Sequence, residues 1–287
     1  MRHSLSSIVA IVFVTSLGQA AQDLNFEVAS VRPAGPAPGG YIGPPRGGPG
    51  TSDPGQIAWS SAALTDLLMT AYSKQIFQIT APAWLSTQRY DIVAKVPLGA
   101  TREQVRVMWQ NLLKDRFGVA LHHESKEFEV EELTVAKGGS KLKETDLPPD
   151  AEPFDPFSTS LKSLQTDKNG RPQMNGTGTM TGLAFGTDGR LAAGLFAKGL
   201  TLAELAVRLG QSLHQPVIDK TGIAGRYDFT LGYTPDQPGG LLSPEASDPV
   251  SNISSAVEKQ LGLKLTRAKA SLDVIIVDHA EKVPTAN

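Results

Sequence analysis

The chain has 287 residues and no cysteine, which excludes disulfide bonds, a thiolate nucleophile and thiolate metal sites. Its 27 Lys and Arg residues against 29 Asp and Glu residues give a formal net charge of -2. This balance argues against a nucleic-acid-binding surface, which needs a clustered basic face. The length suits one large domain or two smaller ones.

The N-terminus has the pattern of a secretory signal peptide, which we assign to residues 1–20. Arg2 and His3 form a short basic start, residues 8–17 are apolar, and small residues precede the expected cleavage site. An uncleaved N-terminal anchor is the alternative. We predict that the signal is removed and that the protein is periplasmic or extracellular, without a later membrane span.

The next segment, residues 23–139, is predicted to form a first α+β unit. Its Pro- and Gly-rich stretch, residues 33–50, is too poor in packing side chains for a core, so we expect a mobile loop or linker. Apolar residues at helical spacing predict a helix from Leu64 to Tyr72. The capping box Thr101/Gln104 opens a second predicted helix.

A polar segment, residues 140–178, is predicted to be a poorly ordered linker to a second unit, residues 179–287. There the capping box Thr201/Glu204 precedes a predicted one-faced helix, and the helix that follows in each unit ends at a glycine, Gly118 or Gly262. Glycine at that position favours a left-handed C-cap.

Segments of the first unit recur in the second in the same order. L-T-D-L-L and R-Y-D-I, at 64 and 89, correspond to L-A-E-L-A and R-Y-D-F, at 202 and 226. After each glycine cap, short strands at 119–121 and 263–265 are expected to lead into further strands at 128–135 and 272–277. We therefore predict an α+β fold made by tandem duplication of a β-α-β-β-α-β-β unit, with helices packed on small mixed sheets.

Longer motifs carry a family resemblance over nearly the whole chain. They are F-E-V-A-S-V-R-P at 26, P-A-W-L at 82, R-Y-D-I-V-A-K at 89, V-A-K-G-G at 135, D-K-T-G-I-A-G-R-Y-D-F at 219 and V-D-H-A-E-K at 277. With these motifs the chain resembles an uncharacterised family of secreted paralogues expanded in Acidobacteria. In some relatives a similar domain is joined to a membrane-embedded metallopeptidase of the antibiotic-sensor type, which implies envelope sensing.

Each half also resembles the short N-terminal domain of secretins and TonB-dependent transducers. Residues 201–217 and 256–277 match its outline of a helix before two strands and a second helix that ends in Leu-Gly-Leu. This resemblance implies a periplasmic protein-contact module, and it is an analogy at the level of fold.

Patterns that would support catalysis lack their context. The K-T-G at 220–222 and the S-x-x-K at 140–143 both fall in predicted turns or loops, without the S-D-N of serine acyl-transfer enzymes. His122 and His123 are adjacent on a predicted strand and point to opposite faces, so they cannot chelate one ion together. We predict no catalytic residue, no metal site and no cofactor.

The recurring pairs Arg89/Asp91 and Arg226/Asp228 are candidate binding residues. Two residues apart on a strand, the members of each pair share a face. An ion pair or a hydrogen bond that braces a turn is the structural interpretation, and contact with a ligand is the functional one.

Trp84 and His279 complete the candidates. Trp84 has no counterpart in the second unit, and it either caps the core or anchors a partner. His279 lies in a polar group at the end of a predicted strand.

We predict a non-enzymatic binding or interaction protein. Its partner would be a protein or peptide of the cell envelope, bound at a sheet edge or in the groove between the units. The alternatives are a hydrolase of envelope or extracellular polymer, with residues near His279 or His122, and a small-ligand envelope sensor.

Overall fold

The fold is known from a computed structural model. It describes residues 24–35, 43–148, 151, 154, 172–174, 176–185, 191–233 and 253–285. The described part combines helices with small sheets, so the predicted α+β class is confirmed. The predicted signal peptide lies outside the described residues.

The described chain alternates strands and helices. The strands are β1 (Val28–Pro33), β2 (Arg46–Gly47), β3 (Gln56–Ala63), β4 (Ile79–Thr80), β5 (Arg89–Lys95), β6 (Ala120–Val135), β7 (Lys143–Glu144), β8 (Gly178–Phe185), β9 (Leu191–Leu200), β10 (Val217–Asp219), β11 (Tyr227–Tyr233) and β12 (Leu263–His279). The helices are α1 (Leu64–Tyr72), α2 (Trp84–Thr87), α3 (Arg102–Phe117), α4 (Leu202–Leu213) and α5 (Ile253–Ala256), and a 3₁₀ turn (Ile76–Gln78) and a π-helical turn (Val257–Leu261) supplement them.

The described strands form three four-stranded sheets, two of them on the outside. The first outer sheet has the antiparallel order β1-β5-β3-β2, and the second has the antiparallel order β7-β11-β9-β8. In both, the strand before the first helix pairs with the strand that carries the Tyr-Asp of the Arg-Tyr-Asp motif. The two halves therefore have the same outer-sheet topology, although a duplication as its origin stays a prediction.

The central sheet contains strands of both halves in the order β10-β6-β12-β4. The long strands β6 and β12 pair antiparallel along almost their whole length. The short β4 of the first half pairs parallel with β12 of the second, with Ile79 opposite Ile275. In the same way β10 pairs parallel with β6, with Val217 opposite Glu131. Each half thus completes the edge of the other.

Two apolar cores lie between the central sheet and the outer sheets. The first contains the inner faces of α1 and α3, where Leu64, Leu67 and Leu68 have no exposed surface and Trp109 is 1% exposed. The second contains the inner face of α4, the π-helical turn and the start of β12. Full burial of a leucine side chain contributes about 1.5–3 kcal/mol, so these helical faces hold the layers together.

The predicted helix signals are confirmed. The Thr101 and Thr201 hydroxyls accept hydrogen bonds from the backbone N–H three residues later, at 3.2 and 3.3 Å. Gly118 and Gly262 adopt left-handed φ values of 57° and 67°. Among the described helices, none has the length and apolar character that a membrane crossing requires.

Three predictions about the segments need correction. Each unit ends in one long strand, β6 or β12, where two shorter strands were expected, so the predicted β-α-β-β-α-β-β is β-α-β-β-α-β. Two further strands of the outer sheet precede it in each half, β1 and β2 or β7 and β8. The described part of the Pro- and Gly-rich stretch is not a loose linker, because β2 pairs with β3 and the Trp59 Nε1–H donates to the Gly43 carbonyl at 2.9 Å. Part of the predicted linker is β7, which pairs with β11; most of the remaining linker lies outside the described residues. In addition, of the three described sheets only the central one combines parallel and antiparallel strand pairs.

Candidate functional site

In the first half, Arg89 and Asp91 brace the bend that leads from β3 into α1. Ser61 has a left-handed φ of 55°, and its backbone N–H donates to Asp91 Oδ1 at 2.8 Å. Arg89 Nη1 donates to the Ser61 carbonyl at 3.2 Å and forms an ion pair with Asp66 at 3.1 Å. Both side chains therefore hold the strand-to-helix corner, and each does so with partners outside the predicted pair.

The second half repeats only part of this arrangement. Asp228 Oδ1 accepts a hydrogen bond of 2.8 Å from the backbone N–H of Gly199, which has a left-handed φ of 61°. Glu204, at the position of Asp66, turns to the Thr201 hydroxyl and N–H, both at 2.8 Å. No side-chain or backbone acceptor in the described residues meets the guanidinium of Arg226, which is half-buried. The same arginine position is thus neutralised in one half and unpaired in the other.

Arg226 lines a cavity of about 670 Å³ between the two halves, which we call the basic cavity. The first half contributes residues 49–50 and 102–103, and the second half contributes the start of β8, the end of β9, the outer face of α4 and Arg226. The charged lining residues in the described chain are Arg102, Glu103, Glu204, Arg208 and Arg226.

The basic cavity keeps cationic donors free. A guanidinium has five N–H donors, and Arg102 uses one on the Pro49 carbonyl at 3.2 Å. Arg208 uses one on the Gln211 side chain at 3.3 Å. Glu103 lies 3.8 Å from Arg106, and Glu204 is occupied by its capping box. Among the described lining residues, the charged groups that keep hydrogen-bonding capacity are therefore mostly the arginine guanidinium groups.

A second cavity of about 500 Å³ adjoins the same face of α4 and reaches α1. We call it the second cavity; its α1 lining residues are Asp66, Met69, Thr70 and Ser73. These occupy the helix positions that Glu204, Val207, Arg208 and Gln211 occupy in α4. Both cavities include Val207 and Gln211, so the two meet at these side chains.

His122 lies away from both cavities, on the central sheet. Its Nδ1 is 2.9 Å from Asp278 Oδ1 and its Nε2 is 3.2 Å from Glu124 Oε1. The hydrogen bonds to Asp278 and then to Glu124 raise the pKa of the His122 imidazole. A hydrolase that activates a nucleophile through His122 would need a hydroxyl beside the ring as well as a carboxylate. In the described part of the chain the ring contacts carboxylates but no hydroxyl.

The remaining histidines on the two long strands are separate from that group. His123 contacts Asp273 at 3.0 Å, a carboxylate that also binds Lys74 at 2.6 Å. His279 has 62% of its side chain exposed and lies 3.8 Å from Glu281. Across the described ranges, no group of three or more His, Asp or Glu side chains has the arrangement that could hold a metal ion.

Trp84, the first residue of α2, is half-buried against the first core. Lys282 Nζ lies 5.6 Å from its ring centroid, within the range of a cation–π contact. The Tyr90 hydroxyl donates to the Lys282 carbonyl at 2.7 Å and so fixes this segment. Trp84 therefore has partners within the fold, and it lines neither of the two cavities.

Several cavity residues had no place among the sequence candidates. Val207 is 42% exposed on the outer face of α4, where the neighbouring outward side chains are polar. A comparison of α1 with α4 gives a second sequence signal, because α4 has Arg208 at the position where α1 has Thr70. An exposed apolar residue next to an extra arginine, both on one helix face, was the pattern available in the sequence.

The comparison with protein families gives one match. The family model described as "Protein of unknown function (DUF3738)" matches residues 65–280, which include the cavity residues on α1 and α4 but not those at positions 43–59. No similarity was found to curated proteins or to solved structures. The match covers most of the chain, and the chain therefore belongs to the DUF3738 family, whose function is unknown.

Proposed function

We propose that this protein is a non-enzymatic binding protein that takes up an acidic peptide in the basic cavity between its halves. The observation that carries the proposal is the half-buried guanidinium of Arg226, which has no hydrogen-bond or ion-pair partner among the described residues, at a position where Arg89 of the first half is paired with Asp66. A half-buried guanidinium has lost part of its hydration, so a carboxylate that reaches it forms a strong charge-assisted hydrogen bond.

The shape of the cavity supports a peptide ligand. Its volume of about 670 Å³ suits a few residues of an extended chain. The exposed apolar side chain of Val207 offers contact surface beside Arg208 and Arg226. Interfaces of this kind combine apolar contact with a small number of directed polar groups.

The proposal extends to location. We expect the ligand to be part of an envelope or secreted protein, because residues 1–20 have the pattern of a signal peptide and the chain resembles secreted acidobacterial paralogues and secretin-type contact domains. Mass spectrometry of the mature N-terminus from the native envelope or culture medium tests this step. An intact N-terminus on protein recovered from the cytoplasm would contradict it.

Fluorescence anisotropy tests the binding function. The probe is a fluorescein-labelled hexapeptide of alternating glutamate and alanine, and the same peptide with glutamine is the neutral control. We expect Arg226→Gln to weaken binding of the acidic probe about tenfold, the effect of losing one charge-assisted hydrogen bond. Arg267→Gln removes an equal charge from a side chain that is 91% exposed outside the cavity, and it should change affinity less than twofold.

Two results would overturn the proposal. One is equal binding of the glutamate and glutamine peptides. The other is an equal loss of affinity in Arg226→Gln and Arg267→Gln, because net charge alone would then explain the binding.

A further inference from the structure

The two cavities together point to a ligand with two different ends. We infer that the bound peptide places an acidic residue in the basic cavity and an apolar residue, about three positions along its chain, in the second cavity. This inference rests on the proposed function and adds to it the class of sequence that the site selects.

The first step is that the two cavities are equivalent places in the two halves. Met69 and Thr70 line the second cavity from α1, as Val207 and Arg208 line the basic cavity from α4. The cavities meet at Val207 and Gln211, so one ligand can contact both by crossing α4. A site of this form has two subsites with equivalent helix positions but different side chains.

The second step is that the second cavity has its charges paired. Asp66 accepts from Arg89 at 3.1 Å and from the Ala63 backbone N–H at 2.9 Å. Lys74 binds Asp273 of β12 at 2.6 Å. Thr70 takes the place of the arginine found in the basic cavity, and its hydroxyl donates to the Asp66 carbonyl at 3.0 Å.

What the second cavity offers to a ligand is therefore its apolar surface. Met69 is half-buried, and Pro44, Pro45 and Trp59 add to this apolar wall. Methionine adapts its shape to apolar side chains of different size. A leucine-sized side chain fits the chemistry of this wall, whereas a second carboxylate would be desolvated here without a free cationic partner.

The third step sets the spacing. A helix with its side chains is about 10 Å across, and an extended peptide advances about 3.3 Å per residue. Crossing the surface of α4 at Val207 and Gln211 therefore takes about three residues. The acidic and apolar residues of the ligand should be separated by that number of positions.

Anisotropy with a peptide series tests the inference on the full-length protein. The probes are fluorescein-labelled peptides with one glutamate pair and a leucine placed one, three or six residues away, and a peptide with alanine in place of leucine. We expect leucine at three residues to strengthen binding about fivefold, the effect of partly burying one leucine side chain. Met69→Ala should remove this gain, so that the leucine and alanine peptides bind this variant with equal affinity.

Matched variants separate the two proposals. Leu98→Ala shortens an apolar side chain that is 92% exposed and outside both cavities, and it should leave every affinity unchanged. If the alanine peptide binds through Arg226 but leucine brings no gain at any spacing, the two-subsite inference is wrong and the proposed function stands. If no acidic peptide binds, the proposed function itself fails. Displacement of the leucine peptide by decanoate at equal affinity would overturn the peptide assignment in favour of an amphiphilic acid.

Discussion

Arg89 and Arg226 occupy the same position in the two halves, so the same substitution should have opposite consequences for stability and binding. Arg89→Gln removes an ion pair with Asp66 whose side chains are 34% and 32% exposed. Ion pairs at this exposure contribute about 0.2–1 kcal/mol. The lost hydrogen bond to the Ser61 carbonyl adds about 0.5–1.5 kcal/mol. We expect a total loss of about 1.5 kcal/mol in the free energy of unfolding.

Arg226→Gln removes no side-chain hydrogen bond or ion pair within the described fold, so the free energy of unfolding should change by less than about 0.5 kcal/mol. For a chain of this length, about 2–4 °C of Tm corresponds to 1 kcal/mol. Arg89→Gln should therefore lower Tm by about 3–6 °C, and Arg226→Gln by less than 2 °C. Differential scanning fluorimetry and urea denaturation measure both variants without knowledge of the ligand.

Ionic strength provides the internal check on this prediction. Screening at about 1 M NaCl weakens the ion pair of Arg89 but not its hydrogen bond to the carbonyl, so the Tm gap between the variants should narrow and not close. An equal loss of Tm in both variants would refute the argument, since Arg226 would then have a structural partner. So would an unchanged Tm in Arg89→Gln.

Two further predictions concern the glycine caps and the long strands. Gly118→Ala should lower the free energy of unfolding by about 1–2 kcal/mol for the left-handed backbone alone, since a Cβ there meets nothing closer than 3.6 Å. Gly262→Ala should lower it by about 3 kcal/mol or more, because its Cβ would collide with the Gly139 carbonyl. Equal losses of the two variants in urea denaturation would contradict this prediction. The raised pKa of His122 means that its stabilising contribution is complete below the unfolded-state pKa of about 6.5 and is lost as pH rises through the higher folded-state pKa. NMR titration should therefore show a lower His122 pKa in Asp278→Asn, and Tm should fall less between pH 6 and 8 in that variant; an unchanged pKa would show that Asp278 does not cause the shift.

The sequence allowed the helices and their ends to be predicted because those signals are local. In α1 and α4 the apolar spacing and the residues three apart in the capping boxes are read within a few positions. The long strands β6 and β12 were divided in the prediction because their middle is polar. Glu127 and Glu129 both contact Lys269 on the partner strand, and such cross-strand pairs stabilise a solvated ribbon that has no apolar signal in the sequence.

The exchange of short strands between the halves could not be predicted for a different reason. Ile79 pairs with Ile275 across most of the chain, and no local pattern of a two-residue strand specifies so distant a partner. The candidate site also has one feature that the sequence predicts and one that depends on the fold. Arg226 was a candidate because its motif recurs, but whether a recurring arginine is paired depends on which acceptors the fold places beside it.

The register of the central strands joins the two halves whose residues form the walls of the basic cavity. Glu127 pairs with Ser271, and each lies the same number of residues after the glycine cap of its own half. The pairing is therefore self-complementary about that point, and β4 and β10 close the two ends of the sheet in equivalent places. A movement that opened the basic cavity would have to break these backbone hydrogen bonds and separate the apolar cores beneath them, and both changes are costly in free energy. Because the walls are preorganised, a ligand has little conformational entropy of the protein to offset. A loss of affinity in Arg226→Gln with an unchanged Tm would then measure the contact between the arginine and the ligand.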